Sequence, residues 1–300
     1  MDQAGPDPQL CRHCQKLAAF ACGDCKDVPP YEKNQGFEKT WYCSTECQKL
    51  DSARHEAYCK VLNMRKELFR VGSLVQELFY VYRKHLFDIK VEAIAKEGST
   101  MRIHEGEYSQ TILRLHGVES FQDLLFPFPS ASVTEIQDQQ ALLTHLMCDD
   151  SIGWMHGVLK YCVGGKDLTI FSLTCHVTLL TQTSDLLRSA SEIVVIPKNV
   201  RRQLITIGLD GTRDDWIYSH MLLQVELTGG EEYAIDLAGA QHGYYEPITP
   251  WNVYEDTRVS SIKGSTGSWG AKHRTLLQES DRKWLNLLVG RFSAFSRSFW

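Results

Sequence analysis

One feature of this 300-residue chain limits its folding more than any other. It is a spaced series of cysteines and one histidine: Cys11-x2-Cys14-x7-Cys22-x2-Cys25-x17-Cys43-x3-Cys47-x7-His55-x3-Cys59. Seven of the ten cysteines fall within residues 11–59, and the others are Cys148, Cys162 and Cys175. Such a cluster could be a disulfide frame, a redox pair or a metal site. The opening "MDQAGPDPQL" has neither a basic n-region nor an apolar h-region, so no secretory signal is expected. An intracellular setting, nucleus or cytoplasm, follows as the expectation, and disulfides are rare there. No thioredoxin-like strand-helix-strand pattern surrounds the two Cys-x2-Cys pairs, which counts against redox chemistry. Metal remains. Cys-x2-Cys suits a tight knuckle turn, whereas Cys43/Cys47 and His55/Cys59 are i,i+4 pairs that would each share a helix face. Zinc takes four N or S ligands in a tetrahedron, so eight ligands imply two closed, structural Zn2+ sites. A segment this small cannot bury enough apolar surface to fold alone. Each structural zinc would add on the order of 10–16 kcal/mol. His13, inside the first knuckle, reads as a solvated neighbour of the ligands.

The run "CRHCQKLAAFACGDC…WYCSTECQKLDSARHEAYC" closely resembles the MYND zinc finger. The match is carried by Tyr42-Cys43-Ser44-x-x-Cys47-Gln48, Asp51 and the His55-x3-Cys59 ending. The resemblance implies an interleaved arrangement that spacing alone does not decide. Cys11, Cys14, Cys43 and Cys47 would hold one zinc; Cys22, Cys25, His55 and Cys59 would hold the other. It also implies a protein partner, often a short proline-containing peptide bound near the Gln and a following Trp. Gln48 is present, but Ser52 stands where members of the family often carry that Trp. The spacer "KDVPPYEKNQGFEKTW" is long for the family, and Pro29-Pro30 and Gly36 mark it as a protruding loop.

The expected fold class is a small double-zinc (MYND-like) finger, residues 1–60, followed by an α+β domain, residues 61–300, with a long connecting helix. In that helix Leu62, Leu68, Val71, Leu74, Leu78 and Val81 recur at roughly helical spacing. "IKVEAIAKEGSTMRIHEG" reads as a hairpin around Glu97-Gly98, and "DLLFPFPSAS" as a loop. Residues 133–164 read as helical with a break near Asp149-Asp150, and a further helix is expected at about 173–189. "SEIVVIP" and "RQLITIGL" read as strands, and "HMLLQVELTGGEEYAIDLAG" as a second hairpin. "RTLLQESDRKWLNLLVGRF" reads as an amphipathic helix with Leu276, Leu277, Trp284, Leu287 and Leu288 on one side. Hydrophobic residues at 43% are enough for a sizeable core. No stretch is long and apolar enough to span a bilayer. The net charge of −5, with lysines and arginines of the finger balanced by acids, argues against a nucleic-acid partner.

MYND fingers also occur in SET-type lysine methyltransferases, but no Asn-His-x-Cys-like motif or Gly-x-Gly segment supports that activity here. Walker, nucleophile-elbow and dinucleotide motifs are absent as well. One constellation stands out. "FSLTCHVTLL" would place Cys175 at a helix start, where a thiol is activated. A three-residue loop, Thr228-Gly229-Gly230, would set Leu222 opposite Asp236 and His220 on the diagonal, roughly 7–8 Å between backbones. Cys on a helix, then His and Asp on successive strands, is the order of papain-like and transglutaminase-like enzymes, which the two strands loosely resemble. Gln241 is a further polar candidate. In "AGAQHGYYEP", Gly239 and Gly243 are expected to supply positive φ. Cys148 and Cys162 have no partner pattern and read as core residues. The leading expectation is a protein-interaction adaptor or regulatory protein acting through the finger. The alternative is a thiol-dependent hydrolase or acyltransferase using Cys175, His220 and Asp236.

Overall fold

The computed structural model describes residues 9–31, 40–107, 125–164 and 186–280. Its longest element is α1 (Thr45–His85), which starts inside the cysteine array. The Ser44 side chain accepts a hydrogen bond from the Cys47 N–H (3.2 Å), capping the helix. Glu46 in the first turn and Arg83, Lys84 and His85 in the last suit the helix dipole. The buried face runs through Leu62, Leu68, Val71, Val75 and Phe79. Leu78 and Val81, expected on that face, are exposed. Leu78 lies one residue, about 100° of helix turn, from the buried Phe79.

The strands form three sheets. A two-stranded ribbon pairs β1 (Phe20–Ala21) with β2 (Trp41–Tyr42). A four-stranded sheet has the order β3-β4-β6-β7, from β3 (Val91–Glu97), β4 (Thr100–Glu105), β6 (Gln203–Ile207) and β7 (Arg213–Asp214). Its first two strands are the expected hairpin, with Gly98 at φ 60° in the turn. An antiparallel five-stranded sheet has the order β10-β9-β8-β5-β11. Its strands are β5 (Leu187–Pro197), β8 (His220–Leu227), β9 (Glu232–Ile235), β10 (Ile248–Pro250) and β11 (Val259–Ser265). The remaining helices are α2 (Ile136–Thr144), α3 (Cys148–Gly164), α4 (Trp251–Arg258) and α5 (Ala271–Ser280).

The main core lies between α1, α3 and one face of the five-stranded sheet. Leu68, Val75 and Phe79 meet Ile152 and Leu159 of α3, and Leu223, Val225 and Ile235 of the sheet. The opposite face buries Leu222 and Ala234 against Trp251 and Tyr254 of α4. Helices thus cover both faces of this antiparallel sheet. The second hairpin has the expected register: Leu223 faces Ile235 and Val225 faces Tyr233. Leu227 N–H bonds the Glu231 carbonyl (2.8 Å), closing the three-residue loop Thr228-Gly229-Gly230.

Three expectations need correction. The helical break falls at 145–147, and Asp149-Asp150 lie in the first turn of α3, where acids are favoured. From Leu187 the chain is strand rather than helix, and residues 173–185 lie outside the described residues. On α5, Leu276 is buried but Leu277 is exposed, while Trp284, Leu287 and Leu288 lie outside the described residues.

Candidate functional site

The ribbon and α1 bring the cysteine array together. Backbone bonds from Arg12 to Trp41 (2.9 Å), Ala19 to Tyr42 (2.8 Å) and Cys22 to Thr40 (2.8 Å) lay the two knuckles along β2. Helix α1 then supplies Cys47 from its first turn and His55 and Cys59 from later turns. One rigid helix therefore feeds both metal sites, and the sets interleave.

Cys11, Cys14, Cys43 and Cys47 form one group; Cys22, Cys25, His55 and Cys59 form the other. Within each group all ligand atoms lie within 4.8 Å of one another. Cys14 and Cys43 sulfurs are 3.4 Å apart, and Cys25 Sγ is 3.2 Å from His55 Nε2. Tetrahedral zinc with Zn–S bonds of ~2.3 Å would place sulfurs ~3.8 Å apart, close to this spacing. The donor chemistry fits two Zn2+ ions. Hydrogen bonds from Cys14 and Cys47 push the Cys43 thiol up to about 12, and burial together with Cys59 pushes Cys25 up. Crowded sulfurs of this kind ionise together only with a cation among them. Burial would raise Cys11 too, but the backbone N–H groups of Cys14, Cys43 and His13 bring it down to about 6. Burial and then Arg12 hold His55 below its usual value, in the neutral form that ligates metal. His13 belongs to neither group.

The finger is braced by Asp51, which is fully buried. Its carboxylate accepts the Tyr42 hydroxyl (2.8 Å) and pairs with Arg54 (2.9 Å) and Arg12 (3.5 Å). Ser52, the residue after Asp51, is exposed and donates to the Lys49 carbonyl (2.7 Å).

A second cluster lies at one end of the five-stranded sheet. His220 Nε2 and Asp236 Oδ1 are 2.8 Å apart, and both side chains are buried. The β8–β9 register thus brings together the two residues singled out from the hairpin. Asp236 also accepts the Tyr254 hydroxyl (2.9 Å) and the Ala238 N–H (3.2 Å). Burial would raise Asp236, but His220 and Arg258 hold it down at about 2. Burial would lower His220, but Asp236 and then Cys148 drive it up to about 10. His242 meets the His220 ring edge-on (4.9 Å) and is held down at about 3, mainly by burial.

Cys175 lies outside the described residues. The thiol beside His220 is that of Cys148, which also packs against the main core, as its lack of a partner pattern suggests. It is half-buried at the start of α3, with Sγ 3.9 Å from the Ser219 carbonyl and 3.5 Å from Asp149 Oδ1. Leu146, two residues earlier, has a left-handed φ of 58°. Its N–H is held by Gln241 Oε1 (3.1 Å), while Gln241 Nε2 donates to the Ala238 carbonyl (3.1 Å). Gln241 thus ties the turn before Cys148 to the turn after Asp236. The acidic pair Asp149-Asp150, read instead as a helix start, was the signal that could have found Cys148. Cys162 is half-buried and packs against the main core.

Of the two glycines expected to supply positive φ, only Gly243 does so, at φ 82°. Gly239 is required for space: a Cβ there would lie 2.8 Å from Asp236 Oδ2 and 2.9 Å from the Tyr244 carbonyl. Among the described residues no helix is long and apolar enough to cross a membrane.

Residues 11–59 match the family described as MYND finger. No curated protein and no solved structure matches the chain. The looser likeness to papain-like and transglutaminase-like enzymes finds no counterpart in these comparisons.

Proposed function

We propose that the MYND finger at residues 11–59 is a zinc-dependent contact surface for a partner protein, and that the chain is an adaptor or regulatory protein. The observation that carries this reading is the pair of closed four-ligand groups. Neither leaves a coordination position for water or substrate, so the metal fixes a shape rather than doing chemistry. The shape offers apolar surface: Leu10 and Leu17 pair across a β-bridge and both are exposed, as is Leu50 of α1. A short proline-containing segment is the partner chemistry in keeping with the family. Gln48 lies in the first turn of α1, and Ser52 replaces aromatic surface with a hydroxyl. The reading places the protein in the nucleus or cytoplasm, where the ligand thiols stay reduced.

The test is binding to an array of proline-containing peptides. Zinc-loaded protein is compared with chelator-treated protein and with Leu17→Asp. Binding that needs zinc and weakens in Leu17→Asp supports the reading. Binding that survives both changes counts against the finger as the contact surface, and no binding across the array counts against the proline-containing partner.

A further inference from the structure

We propose that Cys148, His220 and Asp236 form a nucleophilic thiol centre that cleaves or transfers acyl groups. It is separate from the finger and does not depend on the reading of the finger. The three residues come from three elements: the start of α3, the first residue of β8 and the position after β9. Each has the neighbours its role needs. Asp236 is fixed by Tyr254 and the Ala238 N–H, and its Oδ1 holds His220 Nε2. His220 Nδ1 is buried and has no hydrogen-bond partner, so the ring nitrogen left over is the one available to the thiol. Cys148 is the group that, after Asp236, favours the protonated ring. A buried imidazole oriented by a carboxylate and beside a thiol is the arrangement that activates a sulfur nucleophile.

Two features make this more than a buried ion pair with a cysteine nearby. The turn before Cys148 is strained, with Leu146 in the left-handed region, and Gln241 holds it there from a point 95 residues away. Such strain persists only where surrounding structure enforces it. Cys148 also opens a 17-residue helix, whose first N–H groups have no partners within the helix. They form the donor set that an oxyanion forming on a carbonyl next to Sγ would need.

The chemistry balances without a cofactor. Sγ, as thiolate beside the His220 imidazolium, attacks the carbonyl carbon of an ester or amide. The C–O or C–N bond breaks, the imidazolium gives its proton to the leaving alcohol or amine, and a thioester forms on Cys148. Neutral His220 then takes a proton from water, or from an acceptor amine, as it attacks the thioester and the thiolate leaves. The exposed run Trp216-Ile217-Tyr218 leads directly into Ser219, whose carbonyl lies beside Sγ. That surface favours an acyl group bearing a large apolar side chain. His242 is a bystander: it meets the His220 ring edge-on, and burial keeps it neutral.

The test labels full-length, zinc-loaded protein with limiting iodoacetamide and measures each cysteine by mass spectrometry. Wild type is compared with His220→Gln and Asp236→Asn. The expected result is Cys148 labelling at about pH 6.5 that is faster than that of Cys162, because His220 draws the proton from the thiol. His220→Gln should slow it roughly tenfold at about pH 6.5. Cys148 labelling no faster than that of Cys162 overturns the proposal. So does labelling indifferent to His220→Gln in protein with an unchanged circular dichroism spectrum. If that variant does not fold, the wild-type comparison alone decides. p-Nitrophenyl butyrate should then leave a butyryl group on Cys148; wild-type protein that stays unacylated overturns the acyl chemistry.

Discussion

Arg65 and Glu231, 166 residues apart, form a buried ion pair that joins the helix leaving the finger to the turn of the second hairpin. Arg65 Nε donates to Glu231 Oε2 at 3.1 Å, and Nη2 donates to the other carboxylate oxygen. Nη1 reaches the Pro29 carbonyl (2.9 Å), so one guanidinium ties finger, helix and hairpin together. The Tyr233 hydroxyl donates to Glu231 (2.8 Å), and the Tyr31 ring meets Tyr233 edge-on. Removing one partner leaves a buried charge unpaired. Arg65→Met should therefore cost about 3–5 kcal/mol, measured by urea unfolding. In the double variant Arg65→Met/Glu231→Gln the loss should be well below the sum of the single losses. Additive losses would mean that the pair is not coupled.

The His220–Asp236 pair gives stability a pH dependence with a definite sign. Asp236 sits at about 2, below its ordinary 3.8, and His220 at about 10, above its ordinary 6.5. The carboxylate's contribution is complete above 3.8 and is lost as pH falls through about 2. The imidazole's contribution is complete below 6.5 and is lost as pH rises through about 10. The groups facing the pair are Tyr254 and Arg258 from α4, His242, and Cys148 from α3. His242, held down by burial, and Tyr254, raised well above its ordinary value, add no loss of stability just above neutral pH. Thermal unfolding should thus show a decline in stability from about pH 6.5 toward alkaline pH, and Asp236→Asn should flatten it. A slope unchanged in Asp236→Asn would show that the pair does not cause it.

Zinc should be inseparable from the fold of residues 11–59. Purified protein is expected to carry two zinc ions per chain, one for each four-ligand group. Cys43→Ser removes a ligand of one group, and Cys22→Ser a ligand of the other. Each should lower the zinc content by at least one ion and the melting temperature with it. Atomic emission spectroscopy and a zinc indicator read the metal content, and circular dichroism on heating reads the melting temperature. Full zinc retention in either variant would contradict the interleaved ligand sets.

The parts of the molecule legible in the sequence are those in which local spacing decides the geometry. The finger is one: ligand separations of two or three residues fix the knuckle and the helix face. The β8–β9 register is another, because a three-residue loop and two alternating apolar faces leave a single alignment. That alignment placed His220 beside Asp236. What stayed hidden depends on distant contacts. The break before Cys148 is held by Gln241, whose effect no local pattern announces. Asp149 and Asp150 read as an interruption because Asp is a poor residue for a helix interior, yet it is favoured in a first turn. In α1, periodicity found a helix but could not tell the Val75–Phe79 stripe from the adjacent Leu78–Val81 stripe. Both are apolar, and only the sheet beneath decides which is buried.

Gly239 is expected to be as sensitive as the residues it borders. It opens the 3-10 turn Gly239–His242 that follows Asp236, and it is buried. An added Cβ would stand 2.8 Å from Asp236 Oδ2 and 2.9 Å from the Tyr244 carbonyl. The carboxylate cannot swing away, since Tyr254, His220 and the Ala238 N–H all hold it. The backbone carbonyl has even less freedom. Gly239→Ala should accordingly cost about 1–3 kcal/mol, as overpacking does in a closely packed interior. It should also shift the Asp236 carboxylate away from His220. Two readouts separate these effects. Urea unfolding gives the stability loss, and the NMR titration of the His220 ring reports the pairing. A ring titrating closer to the ordinary histidine value in Gly239→Ala would show that the carboxylate has moved. A variant with wild-type stability and an unchanged ring titration would mean that the turn accommodates the methyl group and that Gly239 is not required for the His220–Asp236 contact.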